Sequence, residues 1–182
     1  MAKQFPSFDD YTRKFAEKQH IFFVGSADVD GRVNISPKGT DSLRILGDNR
    51  LIWRNLTGSG NETAGHLLGV NRMTVMWCSF TTQPLIQRAY GTARTIHVGD
   101  PDWDSLNANF APHAGARQIY DMTVEMVQTS CGYAVPFFDY VSERDTLDIW
   151  SDKKGEAGIH DYWEEKNLAT IDGKDTGIKD YI

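Results

Sequence analysis

Residues 51–70, "LIWRNLTGSGNETAGHLLGV", decide how this chain is to be read. An apolar run leads into a Gly/Ser/Thr-rich turn, and then into a helix expected over roughly residues 61 to 70. The first N–H groups of a helix have no acceptor in a preceding turn, and the helix dipole adds positive potential there, so the layout suits an anion. Spacing excludes two phosphate-binding patterns. A P-loop needs a lysine directly after its second glycine, and none stands there; "SPKGT" (36–40) carries Lys38 ahead of its glycine. The dinucleotide fingerprint Gly-x-Gly-x-x-Gly starts with Gly58 and Gly60, but Thr63 fills the third place and Gly65 comes two residues late. Two readings of Ser59, Asn61 and Thr63 remain: an anion-holding turn, or a plain helix start with Asn61 as N-cap.

Outward from this stretch the pattern is one of successive strands. "HIFFVGSA", "RVNISP", "SLRIL", "LIWRNL", "NRMTVMWCSF", "LIQRAYGTARTIHV" and "RQIYDMTVEMVQ" are β-rich or alternate at every second position, with turns such as Asp30-Gly31 and "GDNR" between them. Helices are expected at the start, where Phe8, Tyr11 and Phe15 have helical spacing and Ser7 is placed to cap, and around "PDWDSLNANF". One or two more are expected between "SERDTLDIW" and "HDYWEEKN". Strands that follow one another through hairpin turns exclude a parallel doubly wound sheet and favour an antiparallel barrel or sandwich with peripheral helices.

The 182 residues form one expected domain, 1–182, with 143–182 a mostly helical C-terminal extension. A net charge of −6, with no block of Lys/Arg, argues against nucleic acid or an acidic membrane as partner. No apolar run reaches the length of a membrane span and no leader is visible, so a cytoplasmic location is expected. Cys78 and Cys131 lack CxxC spacing, and the five histidines show neither HxxxH nor HExxH, so no metal site is expected. Cys131 reads as a buried structural thiol, and His66 as a surface residue of the short helix. Trp53, Trp77 and Tyr90 read as core, with a ligand-shielding wall as the alternative.

Candidate site residues lie on three segments. In "VNISPKG", Asn34, Ser36 and Lys38 share one strand face, Pro37 restricts the strand to an edge or an end, and Gly39 permits close backbone approach. Arg54 and Asn55 end the next strand of interest, Arg54 being a cation in an otherwise apolar run. In "LIQRAYGTAR", Gln87 and Arg88 are neighbours and so point to opposite faces, with Gly91 marking a bulge.

Taken together, "DGRVNISPKGTDSLRIL", "GSGNETAGHLLGVNRMTVMWCSF", "IQRAYGTAR" and "VQTSCGYAVP" resemble the pyridoxamine 5′-phosphate oxidase-related proteins of the FMN-binding split-barrel superfamily. The resemblance runs in order over nearly the whole chain. It implies a mainly β fold, a six-stranded antiparallel split β-barrel with short helices, dimeric, with FMN in a groove between subunits. It further implies that Lys38 and Arg54 are the cations at the flavin phosphate and that Ser59, Asn61 and Thr63 form the hydrogen-bonding turn. Asn34, Ser36, Pro37, Gly39 and Asn55 would line the remainder of the cofactor, and Gln87 or Arg88 would reach the flavin from the opposite side. The implied activity is an FMN-dependent oxidoreductase, a reductase or oxidase, acting on a small-molecule substrate with a nicotinamide electron donor. No catalytic residue is assigned. The alternative is a non-catalytic binding protein for FMN or another planar cofactor such as haem or deazaflavin, although the sequence does not single out an axial ligand for haem. The C-terminal arginine and histidine contacts of true pyridoxamine phosphate oxidases are missing from "YWEEKNLATIDGKDTGIKDYI", so vitamin B6 oxidation is not expected.

Overall fold

The computed structural model describes residues 2–182. Helix α1 (Asp10–Glu17) starts at Asp9, whose carboxylate accepts from Thr12 N at 2.8 Å while Asp9 N donates to Thr12 Oγ1 at 2.9 Å. This reciprocal capping box satisfies two donors at the helix start, and it sets the cap at Asp9 rather than at Ser7. Strand β1 (Lys3–Phe5) precedes it. Strands β2 (Phe22–Ser26), β3 (Asn34–Lys38), β4 (Leu43–Gly47) and β5 (Arg50–Leu56) follow as antiparallel neighbours or near neighbours. Helix α2 (Glu62–Gly69) then leads to β6 (Met73–Cys78), and β7 (Leu85–His97) and β8 (Ala116–Cys131) form a long hairpin carrying α3 (Trp103–Asn107) at its tip. Helix α4 (Thr146–Lys166) is broken at Gly155, which has φ 64°, and a final 3-10 turn spans Ile178–Tyr181.

All eight strands join one antiparallel sheet in the order β3-β2-β6-β7-β8-β5-β4, with β1 added to β8. The expectation of six strands in a barrel is corrected to eight in a sheet whose hydrogen-bonded path has β3 and β4 as its ends. Seven of the eight correspond to the strand segments read from the sequence, and the eighth is β1, three residues long and too short to show periodicity. The path stops between β3 and β4 because the chain doubles back there: Thr40 takes φ 57°, Ser42 N donates to Thr40 O at 3.0 Å, and Ser42 Oγ donates to Gly39 O at 2.8 Å.

The main core lies on the inner face of the sheet, where Phe22, Val24, Leu51, Trp53, Met73, Val75, Trp77, Tyr120 and Met122 are buried with Phe8 and Phe15. A second cluster joins Ile52, Ile96 and Ile119 to Trp103, Leu106 and Phe110 of the α3 region. Strand β5 is therefore covered on both faces, which explains why its sequence shows no alternation. A third cluster of Ile159, Trp163 and Ile178, packed with Val98, attaches the C-terminal segment. Two long strands can stay paired around the sheet's curve only by bending, and β8 does so through a bulge: Tyr90 pairs with Met126 and Gly91 with Val124, leaving Glu125 extra. Gly91 is required there, since a Cβ on it would lie 1.9 Å from Thr123 O.

Candidate functional site

Between β3, the end of β5 and the start of α2 lies a cavity of about 390 Å³. Its walls are Asn34, Ser36, Pro37 and Lys38 from β3, Trp53, Asn55 and Leu56 from β5, and residues 58–63 with Arg117. Alternation on β3 turns Asn34, Ser36 and Lys38 to the half-buried side and leaves Ile35 68% exposed on the other. Pro37 is tolerated because β3 is an edge strand paired only with β2. Ser36 Oγ donates to Asn34 Oδ1 at 3.3 Å, so the two polar groups are mutually oriented.

Trp53 is 2% exposed and stacked on Tyr120 at a centroid separation of 4.7 Å, with Lys38 Nζ 5.3 Å from its ring centre. Asn55 Nδ2 donates to Gln118 Oε1 at 3.4 Å. The turn after β5 is held by Thr57, whose N and Oγ1 both donate to Gly115 O, at 2.8 and 2.9 Å. Asn61 precedes α2, but its side chain caps nothing: Nδ2 donates to Asn167 O at 3.2 Å, and Oδ1 is buried without a partner. Thr63 Oγ1 accepts from Ser26 Oγ at 3.2 Å.

The electrostatics are those of an anion site. Burial, and then the neighbouring Arg117 charge, push the Lys38 ammonium down to about 8 from 10.5. Arg117 is 2% exposed, and burial pushes its guanidinium down to about 10. Its Nη1 donates to Gly58 O at 3.2 Å and to Asn167 Oδ1 at 2.6 Å, and its Nη2 donates to Gly60 O at 3.0 Å. None of these acceptors is charged. The carboxylate in the lining, Glu62, accepts instead from Ile171 N at 3.1 Å. Two cations thus meet at one cavity with no ion pair to either among the described residues.

The remaining candidates are placed elsewhere. Arg54 faces away from Trp53 and Asn55, because neighbours on a strand point to opposite sides. It is 4% exposed, donates from Nη1 to Ala111 O at 2.6 Å and Asn107 Oδ1 at 3.2 Å, and lies over Phe110 at 4.8 Å. Gly39 sits just past the cavity, where a Cβ added to it would lie 3.4 Å from His20 O. Gln87 is fully buried in the core and donates to Thr12 O at 3.0 Å. Arg88 is on the outer face of the sheet, with Nη1 3.3 Å from Ser130 Oγ. Neither residue lines the cavity. His66 is not a surface residue: it is 2% exposed, with Nδ1 3.1 Å from Ser26 Oγ, since the helix is short and packs against β2. Cys131 is exposed at the end of β8 and Cys78 is the buried thiol.

Sequence reasoning missed Arg117 and Asn167. Arg117 is extra at a second bulge, where Asn55 pairs with Gln118 and Leu56 with Ala116. The bulge re-aims its side chain beneath the Gly-rich turn. No periodicity marks it, and Asn167 lies more than a hundred residues from the turn it touches.

No protein-family model matches the sequence. A curated protein of Aspergillus flavus, the pyridoxamine 5′-phosphate oxidase family protein ustO, is 36% identical over 147 residues, covering 78% of this chain and 59% of the relative. The chain therefore spans about three fifths of that relative's length. Among solved structures, HupZ of Group A Streptococcus superposes with a TM-score of 0.51 at 17% identity, over 65% of this chain and 91% of HupZ. A Clostridium acetobutylicum protein related to general stress protein 26, of the pyridoxinephosphate oxidase family, gives 0.52 at 14% identity, over 66% and 86% of the two chains. Likeness at these identities is one of fold, and the fold is that of the mainly antiparallel sheet with peripheral helices described above. In sequence the chain is thus similar to a protein of the pyridoxamine 5′-phosphate oxidase family, and in fold to structures of that kind.

Proposed function

We propose that the cavity binds FMN by its phosphate and that the protein is an FMN-dependent oxidoreductase acting on a small organic molecule. One observation carries this reading: Lys38, Arg117 and the 58–63 turn at the start of α2 converge on a single cavity without a compensating ion pair. The donor set fits the cofactor's chemistry. An ammonium and unpaired amides suit a phosphate, the Asn34–Ser36 pair and the unpartnered Asn61 Oδ1 suit hydroxyls, and the Trp53 indole offers an apolar wall. When bound, FMN supplies the hydride and electron chemistry. The chain's own residues do the rest. Lys38 and the turn hold the phosphate, Asn34, Ser36 and Asn55 orient the sugar-alcohol chain and the ring edge, and Trp53 on Tyr120 keeps water out.

The same reading makes the protein a homodimer of single-domain subunits. The outer sheet face carries an open groove of about 520 Å³ with Phe23, Ile35, Met76, Arg88 and Tyr90 in its walls, and Val33 and Ile35 are 69% and 68% exposed. A second copy laid on this face buries that apolar surface.

The test is the absorption spectrum of the purified protein, a titration with FMN, and then anaerobic addition of NADH or NADPH. Saturable flavin uptake followed by bleaching supports the proposal, whereas a colourless protein that takes up no FMN refutes it. Flavin that binds but is reduced by neither nucleotide assigns a holding role instead. Sedimentation should report a dimer, and a monomer that retains FMN contradicts the proposed assembly.

A further inference from the structure

The Gly58 and Gly60 carbonyls both turn back onto the Arg117 guanidinium. A trans peptide is planar, with its C=O and N–H antiparallel. The Ser59 and Asn61 amides, which share those peptide planes, are therefore aimed away from Arg117. Among the described residues neither amide meets an acceptor. Two N–H groups of one turn aimed to the same side in this way can share an anion.

Arg117 is itself kept in place from the far end of the chain. Asn167, the C-cap of α4, is 0% exposed. Its Oδ1 accepts from Arg117 Nη1 at 2.6 Å, its Nδ2 donates to Gly58 O at 2.9 Å, and its backbone O accepts from Asn61 Nδ2 at 3.2 Å and from Thr176 Oγ1 at 2.6 Å. One residue of the C-terminal segment thus touches the arginine, the turn and the residue ahead of the helix. It does so with an amide. A carboxylate at the same place would still accept from Arg117, but it could not donate to Gly58 O and would cancel the positive charge beneath the cavity.

We infer that Arg117 and Asn167 form a positioning pair that orients the Gly58–Asn61 turn and keeps a buried positive charge un-neutralised, so that the cavity selects a phosphate monoester over its neutral parent. The inference deepens the proposal that the cavity is a flavin phosphate site, and it rests on that reading. Neither residue needs to touch the ligand: both Nη atoms of the guanidinium donate to amide oxygens, and the unpartnered amides of the turn make the contacts. The C-terminal segment is by this account part of the binding site.

The test compares FMN with riboflavin, which lacks the phosphate, in the wild type, Asn167→Asp and Asn167→Ala proteins. Asn167→Asp is nearly isosteric, adds a charge, and replaces the Nδ2 donor to Gly58 O by an oxygen; Asn167→Ala, which loses the same donor without a charge, separates the two effects. Asn167→Asp is expected to weaken FMN about tenfold or more while riboflavin stays within about twofold. Asn167→Ala removes the hydrogen bonds without adding charge, and its loss of FMN selectivity is expected to be smaller, about threefold. Melting curves report whether each variant is folded. Equal weakening of both flavins in both variants means a merely structural role and overturns the inference, as does an unchanged ratio. A wild type that binds neither flavin sinks the flavin reading, and inorganic phosphate then tests the pair separately. Phosphate that raises the melting temperature of wild type but not of Asn167→Asp supports the inference; a wild type indifferent to phosphate overturns it.

Discussion

Replacing Lys38 by arginine or by methionine separates a charge that binds the phosphate from one that merely lies nearby. In the free protein burial and Arg117 set the Lys38 pKa at about 8. An ordinary lysine stays charged throughout the physiological range, but this one loses its proton within two pH units of neutrality. From the Henderson–Hasselbalch relation, the protonated fraction falls about tenfold between pH 7 and pH 9. A bound phosphate dianion raises the pKa again, so binding takes up a proton in this window and the FMN Kd is expected to rise by about the same tenfold. Below about pH 7 Lys38 contributes little pH dependence, although affinity declines again near pH 6 as the phosphate gains its own second proton. The Lys38→Arg protein keeps its charge and is expected to show a flat Kd from pH 7 to 9. Lys38→Met is expected to be flat and weaker by about tenfold to about a hundredfold, the range for one charge-assisted contact of about 1.5–3 kcal/mol. Quenching of flavin fluorescence at fixed ionic strength reads all three curves. A wild-type curve as flat as that of Lys38→Arg refutes the assignment of Lys38 to the phosphate. Stability carries a second sign of the same group. The folded pKa lies below the unfolded value of 10.5, so the folded protein binds fewer protons between about 8 and 10.5 and its stability without ligand rises with pH across that window. Lys38→Met lacks this rise.

Three further substitutions examine the architecture around the cavity. Arg54→Ala removes charged donors from Ala111 O and Asn107 Oδ1. It is expected to cost about 1.5–3 kcal/mol of stability by denaturant titration while altering FMN affinity no more than about twofold, because the side chain lies on the opposite face of β5. Gly91→Ala drives a Cβ against the Thr123 carbonyl, a backbone atom that cannot step aside; a loss of about 1–3 kcal/mol or more is expected, and an unchanged melting temperature contradicts the bulge geometry. Trp163→Phe deletes the 2.9 Å hydrogen bond from Nε1 to Thr57 Oγ1 at the root of the Gly-rich turn. It is expected to lower stability by about 1–3 kcal/mol in a thermal melt.

Much of the fold and part of the cavity can be read directly from local pattern. Strand alternation in "VNISPK" put Asn34, Ser36 and Lys38 on one face, and that face does line the cavity. The Gly/Ser-rich stretch before α2 marked a turn with free amides, and the structure sets Ser59, Asn61 and Thr63 in the cavity wall. That Arg54 and the Gln87/Arg88 pair lie outside this cavity could not be read from periodicity. A strand has two faces, and both faces of β5 are buried, so a cation in its run carries no mark of which side it serves. Gln87 is drawn into the core by the Thr12 carbonyl of α1, a partner 75 residues away. His66 was misplaced because α2 is buried along most of its length rather than along one stripe.

What the sequence by itself determined is therefore local and periodic: strands in antiparallel succession, the helix start after "TGSGN", an edge or strand end at Pro37, and a bulge or close approach at Gly91. Its family resemblance, carried by motifs in order along the chain, belongs to the same level. Tertiary structure alone decided which cation stands behind the turn. A single extra residue in β8 re-aims Arg117, and an asparagine from the C-terminal helix meets it there without cancelling its charge. Neither event leaves a periodic trace, because a bulge is a break in the pattern and a contact between distant residues is set by how the elements pack.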